Sequence, residues 1–289
     1  MLAAVGAALA SAATFAAGSA LQHRAASAGS PDDEPGHQMI TRLLKRRSWL
    51  LGLVLSAVAF GLHGLALSQG ELALVQPVIV SGIVFAVLIR AALDRHLPSR
   101  RVLFWLVATW AGLAVVIAVR SSRSTSSSGV HHEVLFVVLG TVMAGAVGFA
   151  GSRMASDRRR GALLGIAAGT LFGLVAGLLK LVTVEARSGL GQAIGHWSLW
   201  ALLVIGGAAV LLNQLAYQST RLSVTAPLLN IAQVLVALAF GAAVFGERFD
   251  GSPLAMAAEL GGLLLLGAGI WQLAAQPADQ KELVGEGQH

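Results

Sequence analysis

The sequence predicts an all-α fold, a polytopic membrane bundle of nine transmembrane helices. Its apolar runs are long enough to cross a bilayer, for which about 20 residues suffice. Of the 289 residues, 56% are hydrophobic and 12% are charged, whereas soluble proteins carry about 25% charged residues. The basic residues lie in short clusters between the apolar runs, as in the loops of integral membrane proteins. These observations favour a membrane protein over a soluble one.

The nine predicted spans follow one another with polar connections between them. They cover residues 2–21, 49–69, 72–92, 102–120, 131–150, 161–183, 197–217, 222–244 and 254–274. The first run has one feature of a cleaved signal peptide, because small residues surround positions 17–20. No Lys or Arg precedes it, however, and a signal peptide needs a positively charged start. We therefore expect a retained first helix.

The spans are predicted to form two inverted four-helix repeats with a central helix between them. Residues 1–120 form the first repeat, residues 121–159 the Ser-rich loop and the central helix, and residues 160–274 the second repeat. Residues 275–289 are polar, and we expect them to form a disordered cytoplasmic tail.

The distribution of Lys and Arg predicts the orientation in the membrane. Connections after the odd-numbered spans, with the adjoining span ends, carry 14 of these residues, and those after the even-numbered spans carry 4. Basic loops stay in the cytoplasm. The sequence therefore predicts a multi-pass protein of the cell membrane with its N-terminus outside and its C-terminus in the cytoplasm.

A stripe of glycines marks the sixth predicted span. The stripe recurs at every fourth residue and consists of Gly165, Gly169, Gly173 and Gly177. Residues four apart share one face of a helix, and small residues on one face let a neighbouring membrane helix approach closely. We therefore expect Gly169 and Gly173 to contact another helix.

Two alignments of the chain with itself indicate an internal duplication. An offset of 150 residues places spans two to four on spans seven to nine and Pro77 on Pro227. An offset of 157 places span one on span six, and four small residues then meet the four glycines of the stripe: Ala8, Ala12, Ala16 and Ala20. Inverted repeats of this kind are typical of secondary transporters, which bind their solute between the two halves.

Three features of the second repeat occur together: Pro227 within a helix, the turn Gly246-Glu247, and a last helix with spaced glycines. In this combination the chain resembles the drug/metabolite transporter superfamily, including its EamA-like members. The nine-helix layout and the Trp-x-x-Gly pattern from Trp49 to Gly52 are also similar to the NIPA-like magnesium-transporter branch. The resemblance covers residues 1–274. It implies the fold and a transport function, and it does not specify the solute.

Polar side chains inside the apolar runs are costly in a membrane, so they are candidates for function. Asn230 and Gln233 share one face of span eight, and Asn213 of span seven is the repeat partner of His63 in span two. The alternative interpretation is that such groups only hydrogen-bond neighbouring helices. The candidate substrate-binding residues are His63, Gln76, Asn213, Asn230, Gln233, Lys180 and Glu259.

Lys180 and Glu259 are predicted to pair with each other. Both lie a few residues from span ends on the same side of the membrane, so they share a depth. Opposite charges that share a depth stabilise one another in hydrocarbon. The alternative is that both side chains extend to the interface.

The sequence carries no motif for catalysis, and we expect no enzyme activity, no cofactor and no metal site. His131-His132-Glu133 has no evident third ligand, and a phosphate-binding Gly-Lys-Ser or Gly-Lys-Thr loop is absent. The expected partners are membrane lipid, a small-molecule or ion substrate and, as a further alternative, a second copy in a homodimer. Nucleic acid is not an expected partner, because the basic residues suit membrane loops.

Three functions remain open from the sequence. The first is a transporter of the drug/metabolite type that moves a small solute by alternating access. The second is a NIPA-like magnesium transporter, although Mg²⁺ prefers carboxylate and water ligands and few acids lie in the spans. The third is a membrane scaffold that transports nothing, for which small-residue stripes would serve equally well.

Overall fold

The structure, a computed structural model, describes residues 1–27, 45–93, 97–121, 132–219, 222–247 and 252–274. Within these ranges the secondary structure is helical, without strands. The predicted tail 275–289 and most of the Ser-rich loop, residues 122–131, lie outside the described residues.

Eleven helices occur in the described part of the chain. In chain order they are α1 (Leu2–Ser27), α2 (Arg47–Gln69), α3 (Leu72–Val80), α4 (Gly82–Leu93), α5 (Arg100–Ser121), α6 (Glu133–Ser152), α7 (Asp157–Ala186), α8 (Leu190–Gly195), α9 (Trp197–Ser219), α10 (Leu222–Phe245) and α11 (Pro253–Ala274).

Nine helical segments of the described residues are long and apolar enough to cross a membrane, which confirms the predicted number of spans. Helices α3 and α4 together form the third of them, Leu72–Leu93. Helix α7 is longer than predicted, with 30 residues, and the short helix α8 was not predicted. The chain is therefore a multi-pass membrane protein.

The third span is divided at Ser81. Pro77 has no backbone N–H and cannot donate the usual helical hydrogen bond. Four residues later, Ser81 donates its backbone N–H to the carbonyls of Pro77 and Ile79. Its hydroxyl donates to the carbonyl of Val78 at 2.7 Å, a local bond that competes with the helical pattern and bends helices. The break lies inside the span, where α3 ends and α4 begins.

Helix α7 lies at the centre of the second half and packs against α6, α9 and α10. Its glycine stripe faces α10. A Cβ atom added at Gly169 would overlap the backbone of Leu229, and one at Gly173 would lie 2.8 Å from the carbonyl oxygen of Gln233. The prediction that Gly169 and Gly173 contact another helix closely is therefore confirmed.

Helix α1 packs against α2, α3 and α4 in the first half. Gly18 and Gly52 bring α1 and α2 into backbone contact, since a Cβ atom at either would lie 2.7–2.8 Å from the other's carbonyl oxygen. Further along, a Cβ atom at Gly82 of α4 would lie 3.4 Å from that of Ala12. Small residues thus set the helix spacing in this half too.

Helices α5 and α11 cross at Gly112 and Gly262. A Cβ atom at Gly112 would lie 2.6 Å from the carbonyl oxygen of Gly262, and one at Gly262 would lie 2.9 Å from that of Gly112. On one side of the crossing Thr109 contacts Gly269. On the other side Arg120 contacts Glu259. The two helices therefore run antiparallel, and α5 joins α11 across the two halves of the chain.

Candidate functional site

A chain of three polar side chains crosses the interior of the bundle. The Gln76 amide nitrogen lies 3.1 Å from Nε2 of His63, and the Gln233 amide nitrogen donates to Oε1 of Gln76 at 3.5 Å. The three residues come from α2, α3 and α10. The structure thus brings together three of the seven candidate residues.

Gln76 is the centre of this chain because of its position in α3. Residues 72–78 of α3 are all buried, and Gln76 itself is 0% exposed. A buried amide needs partners for both its donor and its acceptor. His63 and Gln233 supply one partner each, so the burial of Gln76 is compensated by hydrogen bonds to two other helices.

Asn213 lies at the other end of the bundle. Asn213 is in the second half of α9, towards the connection to α10. His63 is in the second half of α2, towards the connection to α3, which lies at the opposite end of the bundle. The start of α10 contacts the start of α7 through Thr225 and Gly165. The Oδ1 atom of Asn213 is buried and has no hydrogen-bond partner among the described residues.

Asn230 is half-buried in α10, one turn before Gln233. The polar chain formed by His63, Gln76 and Gln233 thus includes neither Asn230 nor Asn213.

An ion pair joins α7 to the connection between α10 and α11. Nζ of Lys180 lies 2.6 Å from Oε1 of Glu247 and 4.6 Å from the ring centre of Phe245. Glu247 also accepts backbone N–H bonds from Leu72 at 2.8 Å and Ala73 at 3.0 Å. These N–H groups open α3, where a helix presents partial positive charge. The carboxylate of Glu247 therefore caps α3 while neutralising Lys180.

A second group of charges lies at the same end of the bundle. Arg120, at the end of α5, binds Glu259 of α11 through Nε at 2.7 Å and Nη2 at 2.5 Å. Its Nη1 atom lies 2.7 Å from Oε2 of Glu71, the residue before α3. The side chains of Arg120 and Glu259 are 2% and 1% exposed. We call Glu71, Arg120, Lys180, Glu247 and Glu259 the ion-pair cluster.

The predicted pairing of Lys180 with Glu259 is wrong. Each residue is bound by a different partner, Lys180 by Glu247 and Glu259 by Arg120. A shared depth along the membrane normal does not fix which way a helix face points, and charges of helix ends and connections, here Arg120 and Glu247, reach the same depth.

Sequence reasoning missed Arg120, Glu71 and Glu247 as members of the site. All three stand at span ends, where charged residues are ordinarily solvated. One signal was available for Glu247, because it belongs to the Gly246-Glu247 turn that carries the family resemblance. Arg120 ends an otherwise apolar span. An arginine in this position can be either solvated in the loop or buried with a partner, and the sequence does not distinguish the two.

No group of three or more His, Asp or Glu side chains that could hold a metal ion occurs in the described part of the chain. In the His131-His132-Glu133 motif, His131 lies outside the described residues. His132 precedes α6 with a left-handed backbone conformation, φ 57°.

The chain is similar in sequence to a bacterial protein. The chain is 27% identical to an uncharacterized protein of Corynebacterium glutamicum over 248 residues, which cover 84% of each chain. No protein-family model matches the chain, and no solved structure matches it. The similarity extends over most of both proteins, so the two share more than one local motif.

Proposed function

We propose that this protein is a secondary transporter of the drug/metabolite type, which moves a small polar solute across the cell membrane by alternating access. The observation that carries the proposal is Gln76, fully buried in α3 and hydrogen-bonded to α2 and α10. Intramembrane polar groups that face the bundle interior are by default functional. The solute would exchange for the contacts that His63, Gln76 and Gln233 make with one another.

Equivalent contacts in the two halves support an inverted-repeat architecture. Gly112 and Gly262 are related by the offset of 150 residues, and they contact each other where antiparallel helices cross. Ala12 and Gly82 are the equivalents of Gly169 and Ala232, and both pairs are in contact. An axis in the membrane plane through the Gly112–Gly262 crossing would account for both facts. Such an axis relates the halves of many transporters.

The charge distribution of the loops supports an outward-facing N-terminus. In this orientation the ion-pair cluster lies at the outer end of the bundle. The chain has no cysteine, so single cysteines give a clean test. A cysteine replacing Ser126 is expected to react with an impermeant maleimide from outside, and one replacing Ser156 only from inside. The reverse pattern would invert the proposed topology.

The ion-pair cluster weighs against the NIPA-like magnesium alternative. Mg²⁺ is bound through carboxylates and retained waters, but Glu247 is already held by Lys180 and two backbone N–H groups, and Glu259 by Arg120. A scaffold could use the polar chain only to join helices, whereas a transporter would also exchange its hydrogen bonds for a solute.

Uptake into liposomes tests the proposal. The purified protein is reconstituted and assayed with amines, nucleobases, amino acids and Mg²⁺. We expect saturable uptake of one uncharged or weakly charged organic solute. The variant Gln76→Leu is expected to lower that uptake at least tenfold, because it breaks the contacts to His63 and Gln233.

The matched control is Gln214→Leu, an exposed position on α9, which is expected to transport like the parent protein. Uptake of Mg²⁺ alone would favour the NIPA-like alternative. If the folded protein moves no compound of the panel, the scaffold interpretation replaces the transporter.

A further inference from the structure

Helix α3 fills the centre of the bundle at one end. It packs against α1, α2, α4, α5, α7 and α10, and eight of its nine residues are buried. A helix so enclosed blocks the interior from this end. Gln76, the centre of the polar chain, is part of it, so access to that chain from this end requires α3 to move.

Helices α3 and α4 are held by different kinds of contact. Helix α4 packs against α1 through small residues, as at Gly82 and Ala12. Helix α3 is held in part by polar contacts, those of Gln76 and those at its first turn. Ser81, with backbone angles φ −62° and ψ −7°, separates the two helices. Motion of α3 about Ser81 would leave the α4–α1 contact in place.

The first turn of α3 is fixed by charges that belong to other parts of the chain. Glu247 caps the N–H groups of Leu72 and Ala73 and comes from the α10–α11 connection. Glu71, directly before α3, is bound to Arg120 of α5. Charge-assisted hydrogen bonds of this kind are strong and geometrically specific, so they hold the first turn of α3 in one position.

The ion-pair cluster lies close to the surface of the bundle. The side chain of Glu71 is 20% exposed and that of Lys180 is 12% exposed. Water is therefore within reach of both and can replace their partners when the end opens. Contacts that water can replace suit a reversible closure better than apolar packing does, because the charged groups keep a polar partner in both states, either each other or water.

We propose that α3 is a gate at this end of the bundle, which pivots about Ser81 and is locked shut by the carboxylate of Glu247. The inference rests on the proposed transport function, which requires this end to open and close. In the open state Glu247 leaves the first turn of α3 and retains Lys180 as its partner. The solute then reaches Gln76 from the side that carries the ion-pair cluster.

Cysteine labelling tests the gate without measuring transport. Ala73 is 3% exposed, and Ala73→Cys is the single cysteine of the reporter protein. We expect an impermeant maleimide to label it slowly in membrane vesicles. Adding Glu247→Gln is expected to accelerate labelling at least tenfold from one side only, because an amide cannot accept both N–H bonds and neutralise Lys180.

The matched control is Glu185→Gln in the same reporter. Glu185 lies at the same end of α7 as Lys180 and is about 4.0 Å from His196, with both side chains about one-third exposed. We expect the Glu185→Gln variant of the reporter to react with the maleimide as slowly as the reporter itself. Equal labelling of the Glu247→Gln and Glu185→Gln reporters, with all three proteins monodisperse in detergent, would overturn the gate. Fast labelling from both sides would overturn it too, since it would indicate general unfolding.

Reversible cross-linking provides a second test in a protein with an intact ion-pair cluster. Ala4→Cys with Gly70→Cys joins α1 to the residue before Glu71, where the two Cβ positions lie 2.8 Å apart. Ala12→Cys with Gly82→Cys joins α1 to α4, beyond the break, at 3.4 Å. Disulfides form at Cβ separations of about 3.5–4.5 Å, so small adjustments suffice for both pairs.

We expect oxidation of the Ala4–Gly70 pair to lower solute uptake at least tenfold and dithiothreitol to restore it, while the Ala12–Gly82 pair stays active when oxidised. Full uptake by the oxidised Ala4–Gly70 pair would overturn the gate. If the unmodified protein moves no solute, the transport proposal fails by itself, and the labelling of Ala73→Cys still decides whether α3 opens.

Discussion

Helices α3 and α7 are both deeply buried, but different kinds of contact hold them in place. Helix α7 is continuous over 30 residues, and its glycines place the backbone of α10 against its own. Helix α3 has nine residues and ends at the break at Ser81. It is held by the amide of Gln76 and by the carboxylate of Glu247, which caps its first turn.

This difference separates the helices whose contacts are fixed from the helix whose contacts can be exchanged for water or a solute. Backbone contact at a glycine has no side chain that can adjust, so α7 and α10 must move together or not at all. Hydrogen bonds and ion pairs can be exchanged for water or for a solute. Burial alone would assign α3 and α7 the same role, and the chemistry of the contacts separates them.

The largest effect is expected in the ion-pair cluster, next to the start of α3. The substitution Arg120→Ala leaves the buried carboxylate of Glu259 without the guanidinium that neutralises it, and such losses cost roughly 3–5 kcal/mol. We expect a large fall in the thermal unfolding temperature in detergent. The control is Arg101→Ala on the same helix, where the arginine is exposed and the change is expected to be small.

The double variant Arg120→Met with Glu259→Met sharpens this prediction. Replacing both members of a buried ion pair by apolar residues is often neutral, so we expect the double variant to be more stable than Arg120→Ala. If the double variant is the less stable of the two, the ion pair itself, rather than the isolated charge, dominates the energetics.

The next largest effect is expected in α7. Leucine at Gly169 or Gly173 would overlap the backbone of α10, and overpacking costs roughly 1–3 kcal/mol, occasionally more. We expect both variants to lower the unfolding temperature. Gly207→Leu on α9 is the control, because no atom lies within 4 Å of its Cβ position. Equal stability of all three variants would show that the α7–α10 contact tolerates separation.

A smaller effect on stability, with a larger effect on activity, is expected at Ser81. The substitution Ser81→Ala removes the hydroxyl bond to Val78, which contributes about 1 kcal/mol or less. We expect nearly unchanged thermal stability and slower solute uptake, because a straighter third span moves less freely. Unchanged uptake in liposomes would mean that the break at Ser81 is not a pivot.

The smallest effect is expected at Gly145 of α6, where no atom lies within 4 Å of the Cβ position. Replacing an exposed helical glycine by alanine stabilises a helix by at most about 1 kcal/mol. We expect Gly145→Ala to be neutral or slightly stabilising in the same thermal assay. A clear loss of stability would reveal a contact on this face, such as that of a homodimer.

The sequence was sufficient for the spans and for the scaffold. A run of about 20 apolar residues has few alternatives to a transmembrane helix, and all nine spans appear in the structure. The stripe from Gly165 to Gly177 was equally informative, because residues at a spacing of four share one face whatever the partner is. Only the partner, α10, required the structure.

The sequence was insufficient for the ion-pair cluster and for the break in the third span. Lys180 and Glu259 were recognised as costly charges, but the identity of their partners depends on helix rotation and on the path of the α10–α11 connection. Pro77 and Pro227 look alike in the sequence, yet α10 continues through Pro227 while the third span divides at Ser81. The break lies at Ser81, whose hydroxyl bonds the carbonyl of Val78, and Pro77 alone does not reveal this position.

The contact between Arg120 and Glu259 also has a consequence for biosynthesis. The two residues are separated by 139 positions, and ribosomes add about 5–20 residues each second. Arg120 therefore enters the membrane on the order of ten seconds before α11 is made. During that interval Glu71, made shortly before Arg120, is the partner at hand. Helix α11, made later, thus completes the charge balance of Arg120, and a chain that stops before α11 leaves this arginine with Glu71 but without Glu259.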